Sequence, residues 1–358
     1  YIGHECGKST TTGGYNTAVG HRAFMNNTTG ANNTVMGLGA ARGNTTGSFN
    51  TAIGYASLYA NTTYSNHTAV GYNALNGCAT GQENTAFGSN CMGAMTSGNY
   101  NDAFGRDALG AGTGFGSCCA FGNSALKVNT GDNNVAMGFL ALGANTSGHS
   151  NIAIGAQALD ANTTAHNNVA IGYKALTTVT TTGANVAVGT RALENATSAE
   201  DNTCVGYQAG DNITSGDNNI CLGHGSVTPS SSSDNQVILG NSSIQNLRCQ
   251  VQTINSLSDR RDKTDIVDSI DGLNIINLLK PRKFTWAMRE PSANNGKTEL
   301  GFIAQEIDEA LGDKNDYIHA VSHDNPDKLD AAYGRFLPIL IKAVQELSAK
   351  VEELESRQ

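Results

Sequence analysis

A glycine recurs at an almost fixed interval along two thirds of the chain. Fifteen glycines follow one another at steps of 17 residues, with a single step of 16 between Gly122 and Gly138. The series is Gly3, Gly20, Gly37, Gly54, Gly71, Gly88, Gly105, Gly122, Gly138, Gly155, Gly172, Gly189, Gly206, Gly223 and Gly240. A constant period over this length is typical of stacked units that contact only their neighbours, and not of one globular core. The sequence therefore predicts a solenoid over residues 1–247.

Each repeat carries the same apolar segment before its glycine. Residues 50–58 are Asn-Thr-Ala-Ile-Gly-Tyr-Ala-Ser-Leu, and residues 168–176 are Asn-Val-Ala-Ile-Gly-Tyr-Lys-Ala-Leu. The residues before the glycine predict a short β-strand, with the Ala and the Val or Ile on opposite faces. Both faces are apolar, so one faces the interior of the coil and the other needs a partner. We expect a homotrimer around a central axis to supply that partner.

The remaining repeat positions predict turns and one more strand. The glycine fits a kink or a close backbone approach, and the Ala-Leu pair after it predicts a second short strand. Asparagines stacked four residues before the glycine predict a hydrogen-bonded ladder along the solenoid. A second set lies in Asn-x-Ser/Thr triplets, which we interpret as turn residues, with N-glycosylation as the alternative; these are Asn27, Asn44, Asn61, Asn145 and Asn162.

Composition excludes several classes of partner. The net charge of −9 gives no basic surface for nucleic acid, and no apolar run approaches the ~20 residues of a membrane span. The eight cysteines show no metal-binding spacing, and we expect no metal and no cofactor. Cys204 and Cys221 hold the same place in successive repeats, which favours a free buried pair over a disulfide.

After Gly240 the period stops, and from Ser256 onward a different kind of sequence follows. The apolar pattern at 270–279 predicts a helix that Pro281 ends, residues 283–286 alternate like a strand, and residues 301–311 predict a strand that passes into a helix. Near the C-terminus, apolar residues spaced by 4, 3, 4 and 3 predict a coiled-coil seam; they are Leu340, Val344, Leu347, Val351 and Leu354. The alternative is an amphipathic helix packed on its own domain.

Three motifs in this region occur in the order found in a known family. They are Ser258-Asp259-x-Arg261-x-Lys263, then Gly-Phe-Ile-Ala-Gln-Glu at 301–306, then Leu-Pro-x-Leu-Ile-Lys-Ala-Val-Gln-Glu-Leu at 337–347. Residues 256–354 thus resemble the endosialidase-type intramolecular chaperone, an auto-cleaving trimerisation domain at the C-termini of phage tail fibres and tailspikes. The repeats before it resemble the parallel β-roll of trimeric autotransporter adhesin heads and repeats of phage tail fibres.

The resemblance implies an all-β, homotrimeric, β-helix-like solenoid followed by an α+β chaperone domain. It divides the chain into a solenoid (1–247), a connector (248–257), a chaperone and autoprotease domain (258–336) and a coiled-coil helix (337–358). It also implies one self-cleavage, between Leu257 and Ser258.

In that reaction Ser258 is the nucleophile and Lys263 the general base, with Asp259 and Arg261 in support. A serine hydroxyl needs a nearby base, and a lysine serves as one when burial or cationic neighbours lower its pKa; Arg260 and Arg261 are such neighbours. A histidine also takes part in the family, and His319 and His323 are unassigned candidates.

These features predict a host-attachment tail fibre of a virion. Its partners would be two further copies of the chain, other tail proteins and a host cell-surface receptor, with a glycan among the options. One alternative is a tailspike depolymerase of host glycan, which requires paired carboxylates; the adjoining Glu200 and Asp201 lie in a turn. The other alternative is a bacterial surface adhesin, which the repeats also allow.

Overall fold

The computed structural model describes residues 1–244, 246–248, 250, 258–287, 295–325, 327 and 329–357. The chain divides into two compact units, Tyr1–Asn241 and Ser242–Gln358. Most of the predicted connector at 248–257, including Leu257, lies outside the described residues.

The first unit is a parallel β-solenoid, as the glycine period predicts. Its strands form one 14-stranded sheet in which each strand pairs with the next in sequence. Ala52 lies opposite Ala69 and Ile53 opposite Val70, so equivalent repeat positions stack directly. The strands β1–β14 are Thr17–Val19, Thr34–Met36, Thr51–Ile53, Thr68–Val70, Thr85–Phe87, Asp102–Phe104, Cys119–Phe121, Val135–Met137, Ile152–Ile154, Val169–Ile171, Val186–Val188, Thr203–Val205, Ile220–Leu222 and Val237–Leu239.

The two faces of this sheet differ as predicted. The central residue of a typical strand, such as Ala52, is fully buried inside the coil. The last residue of each strand points outward and is partly exposed, and these residues form what we call the outer apolar column. Within it Phe87, Phe104 and Phe121 stack at centroid distances of 5.6 and 4.5 Å. The column comprises Val19, Met36, Ile53, Val70, Phe87, Phe104, Phe121, Met137, Ile154, Ile171, Val188, Val205, Leu222 and Leu239.

The Ala-Leu pair after the glycine is not the second strand that the sequence predicts. Leu75 is left-handed, with a φ of 49°, and Asn73 has a φ of 52°. A strand would point Ala74 and Leu75 to opposite faces, yet both are fully buried. Alternating left-handed residues turn both side chains inward. The Leu75 N–H still donates to the Cys91 carbonyl of the next coil at 3.0 Å.

The repeat glycine is required by close backbone contact between coils. Gly54 has a φ of 129°, and a Cβ built there would lie 2.3 Å from the Gly71 carbonyl oxygen. Any side chain would push neighbouring coils apart, which confirms the predicted close approach.

Both asparagine sets form ladders. In the first, the Asn33 Oδ1 accepts the Asn50 N–H at 2.9 Å, and the same bond recurs between coils. In the second, the Asn61 side-chain amide donates to the Asn44 Oδ1 at 2.9 Å. All five triplet asparagines are fully buried. They are therefore turn and ladder residues, and no glycan fits on them in the folded chain.

The two stacked cysteines lie where their repeat positions place them. Cys204 and Cys221 face each other across β12 and β13, are buried, and are free thiols.

The second unit combines short helices with two small antiparallel sheets. Its helices are α1 (Leu273–Ile276), α2 (Ala304–Leu311), α3 (Asn315–Ile318) and α4 (Leu337–Ser356). Strand β15 (Arg282–Thr285) pairs with β16 (Thr298–Gly301), and β17 (Val321–Ser322) pairs with β18 (Asp330–Ala331). A buried cluster joins the elements, formed by Ile275, Ile307, Leu311, Ile318, Ala320, Val321, Phe336 and Ile339.

The strand predicted at 283–286 is present one residue earlier, as β15. The strand-to-helix passage predicted at 301–311 is also present, with β16 ending at Gly301 and α2 ending at Leu311. The helix predicted over 270–279 is only four residues long. It starts after Gly272 and passes into a turn at Asn277, where the N–H of Leu278 bonds to the Ile275 carbonyl at 2.9 Å.

Helix α4 presents two apolar faces. Ile339 and Ala343 are buried against the rest of the unit, and the Glu346 carboxylate accepts the Leu273 N–H at 2.9 Å. The heptad residues from Leu340 to Leu354 lie elsewhere on the helix and are about half exposed. Helix α4 therefore packs on its own domain, as the alternative interpretation has it, but only through one face. The predicted coiled-coil seam on its other face is uncovered.

Candidate functional site: a serine and lysine pair

A tight turn shapes the segment that follows Ser258. Asp259 has extended backbone and caps a 3-10 turn over Arg260–Asp262, because its carboxylate accepts the Arg261 N–H at 2.8 Å. The Lys263 N–H then bonds to the Arg260 carbonyl. A capping Asp is a common way to begin such a turn, and the turn returns the chain towards Ser258.

The turn brings together the two residues predicted to act as nucleophile and base. The Lys263 ammonium donates to the Ser258 Oγ at 2.5 Å. The two atoms are thus within the distance over which the neutral amine of Lys263 could accept the hydroxyl proton. Both side chains are exposed to solvent in the described chain.

Asp259 and Arg261 form an ion pair with each other. The Arg261 guanidinium lies 2.6 Å from one carboxylate oxygen, and its Nε lies 3.0 and 3.1 Å from the two. These hydrogen bonds lower the pKa of Asp259 and raise that of Arg261. The pair holds the turn, and the expectation that Arg261 is a cationic neighbour of Lys263 stays a prediction.

The cleavage junction is described on one side only. Ser258 begins a described stretch, and Leu257 lies outside the described residues. No residue of the 3-10 turn is buried. Within one chain, the described part of the site is therefore open to water.

The two candidate histidines lie beside a separate open cavity of about 660 Å³. His319 is left-handed at the end of α3, and the His323 ring nitrogen lies 3.0 Å from an Asp308 carboxylate oxygen. Among the described residues, neither histidine makes a hydrogen bond to Ser258 or Lys263.

Sequence reasoning missed a buried polar contact that fixes the domain around α1. Asp271 is 6% exposed and accepts from the Tyr317 hydroxyl at 2.6 Å and from the Lys314 ammonium. These contacts, with that of Lys314 the larger, lower the pKa of Asp271. The partners lie more than 40 residues apart, so no local pattern could have indicated them.

Two acidic residues of the solenoid accept backbone N–H groups of the preceding coil. The Asp217 carboxylate accepts the Glu200 N–H at 2.7 Å, and the Asp234 carboxylate accepts the Asp217 N–H at 2.8 Å. Glu200 and Asp201 are themselves exposed turn residues. In the described ranges, no group of three or more His, Cys, Asp or Glu side chains is placed to hold a metal ion. None of the described helices is long and apolar enough to cross a bilayer.

Comparison with known proteins gives one match. Residues 258–315 match the model of a peptidase family described as the chaperone of endosialidase. No curated protein and no solved structure matches the chain. The match begins at Ser258, includes Lys263 and extends to the first residue of α3, so the C-terminal region is similar to an intramolecular chaperone from its nucleophile candidate onward.

Proposed function

We propose that three copies of this chain form a viral tail fibre, and that the C-terminal region guides their assembly and then cuts the chain between Leu257 and Ser258. The observation that carries the proposal is the 2.5 Å contact between the Lys263 ammonium and the Ser258 hydroxyl, at the residue where the chaperone match begins.

The chemistry is an acyl transfer within one chain. The Lys263 amine, in its neutral form, takes the Ser258 hydroxyl proton as Oγ attacks the carbonyl carbon of Leu257. The peptide C–N bond breaks as the Ser258 nitrogen gains a proton, which leaves an ester between Leu257 and Ser258 Oγ. Water then hydrolyses the ester to a Leu257 carboxylate and a Ser258 hydroxyl. Because the bond is not re-formed, each chain reacts once.

Two uncovered apolar surfaces support assembly from several copies. The outer apolar column leaves on the order of 1,000 Å² of apolar surface, more than a monomer usually exposes. The exposed seam of α4 has the heptad spacing of a parallel coiled coil. Because every copy has the same spacing between its coils, the outer apolar columns of three copies can pack side by side with equivalent residues level. Such a trimer would also cover exposed groups of the second unit. Burial disfavours the charged form of a lysine, so a lysine covered in this way would act more readily as a base.

The same domain order supports our proposal that the protein lies on a virion. A long polar solenoid that ends in an assembly domain suits a fibre that joins other tail proteins and reaches a host cell-surface receptor. Threonine and asparagine dominate its turns and offer hydrogen bonds to a glycan.

The test is intact mass measurement of freshly expressed full chain. Wild type should yield a fragment that begins at Ser258, and Ser258→Ala and Lys263→Ala should stay whole. Lys280→Ala, an exposed lysine in the same unit, is the matched control and should be cut normally. Processing of Ser258→Ala, or an uncut wild type, would overturn the cleavage proposal.

Assembly is tested separately by light scattering. Full chain carrying Ser258→Ala should have the mass of three copies, and a chain ending at residue 257 should be monomeric or insoluble. A soluble trimer from the shortened chain would refute the chaperone role.

A further inference from the structure

A groove opens in the solenoid where two successive coils carry glycine at a position that often bears a large side chain. Five residues after the repeat glycine, earlier coils have Arg42 and Tyr59, and a later one has Glu194. Gly93 and Gly110 hold this position in the two coils of the groove. The missing side chains leave a cavity of about 310 Å³, within the ~300–1,000 Å³ typical of small-molecule sites.

Polar side chains surround this groove. Asn76 and Lys127 hold the same repeat position in the coils on either side of the two glycines, so they close its ends. Asn73, Asn90 and Asp107 line one side, each two residues after the glycine of its coil.

Two of these groups have unused hydrogen-bonding capacity. In the part of the chain that the structure describes, the Asn90 amide and the Lys127 ammonium make no hydrogen bond or ion pair. Asp107, by contrast, is paired with its neighbour Arg106 at 3.2 Å. The groove therefore offers a free amide and a free positive charge.

We propose that this groove binds a short saccharide with a carboxylate opposite Lys127, which rests on the host-attachment function proposed above and names its ligand. A side-chain amide both donates and accepts, as a sugar hydroxyl does, and a lysine supplies a point charge for an anion. Coils repeat at roughly 5 Å, about the length of one pyranose ring. Successive sugar rings along the solenoid therefore meet successive coils.

The lining disfavours other ligands. It contains no aromatic ring on which a nucleobase could stack, and no apolar pocket for a peptide anchor. None of the lining residues belongs to a strand. The groove therefore shares no residue with the outer apolar column and is separate from the surface proposed for self-association.

The test uses full-length protein with two trisaccharides of matched length, trigalacturonic acid and neutral maltotriose, titrated by calorimetry and saturation-transfer NMR. Trigalacturonate should bind at least fivefold more tightly. Lys127→Met should remove that preference. Asn90→Ala should weaken both ligands at least fivefold; Ala56 already occupies the equivalent repeat position.

Filling the groove supplies a second, independent test. Gly93→Tyr should abolish binding, because its ring would fill the groove. The variant should still fold, since a Cβ at Gly93 has its nearest contact at 3.2 Å and fits with a small shift. Gly143→Tyr places the same ring at the same repeat position outside the groove and should bind as wild type, as should Lys174→Met.

Failure of wild type to bind either trisaccharide at millimolar concentration, or binding that survives Gly93→Tyr, would overturn the groove proposal. Cleavage and mass are measured on the same samples. A processed trimer that binds no saccharide refutes the groove alone. An uncut monomer that binds refutes the fibre function and leaves the groove as a saccharide site.

Discussion

Alanine in place of Asn44 should destabilise the solenoid more than alanine in place of Asn61, although both side chains are fully buried in the same ladder. Asn44 lies mid-ladder. Its amide donates to the Asn27 Oδ1 at 3.2 Å and to a turn carbonyl, and its Oδ1 accepts from Asn61 at 2.9 Å. Asn61 ends this stretch because the next coil has Cys78 instead, and the Asn61 Oδ1 has no partner.

The magnitude follows from counting bonds. Each variant deletes the same atoms from a buried site, so the cavity terms are similar. Asn44→Ala breaks three side-chain bonds and leaves the Asn27 Oδ1 unpaired. Asn61→Ala breaks two side-chain bonds. It leaves the Asn44 Oδ1 unpaired but also removes the Asn61 Oδ1, which was already unpaired, so the number of buried unpaired acceptors does not change. At about 1 kcal/mol per bond and about 1–3 kcal/mol per buried unpaired acceptor, Asn44→Ala should cost about 2–4 kcal/mol more.

The assay is guanidinium unfolding followed by circular dichroism, at one protein concentration because association shifts the midpoint. Asn26→Ala, an exposed neighbour of the ladder, is the control and should change stability by less than about 0.5 kcal/mol. Equal losses for the two ladder variants, or a larger loss for Asn61→Ala, would refute the ladder as a source of stability.

Three further predictions concern other features. His67 replaces a ladder asparagine, and its Nδ1 accepts the Asn84 N–H at 3.4 Å. Burial lowers the pKa of His67 from its ordinary 6.5, so the stability held above pH 6.5 should fall as the pH drops through the lowered pKa. Unfolding midpoints at pH 7.5 and 4.5 should show this dependence in wild type and not in His67→Asn; the same dependence in both would contradict the prediction. Burial raises the pKa of Cys91 to about 12, so iodoacetamide at pH 8 should label it only in denatured protein, and labelling of the native chain would count against the buried thiol. Leu347→Lys changes a seam residue that is 50% exposed, so it should lower the mass seen by light scattering and leave the circular dichroism unchanged; a trimer that persists would exclude the seam.

In the C-terminal region, sequence motifs predicted some of the contacts of the candidate site but not others. The resemblance placed Ser258 and Lys263 in one site, and the turn capped by Asp259 explains how residues five apart come into contact. The ion pair between Arg261 and Asp259 could not be predicted, because it depends on how the turn orients the guanidinium. The contact between Asp271 and Tyr317 depends on the packing of distant segments.

In the solenoid, sequence by itself determined the period, the parallel stacking and the placement of each strand's apolar residues on two opposite faces. Those properties follow from residue spacing, since a strand alternates its side chains at every position and a constant period aligns equivalent residues. Only the tertiary structure decided the path after the glycine, where Leu75 adopts a left-handed conformation that costs an isolated residue about 1 kcal/mol. Bonds to the next coil and burial of the leucine side chain offset that cost, and both exist only once the coils are stacked.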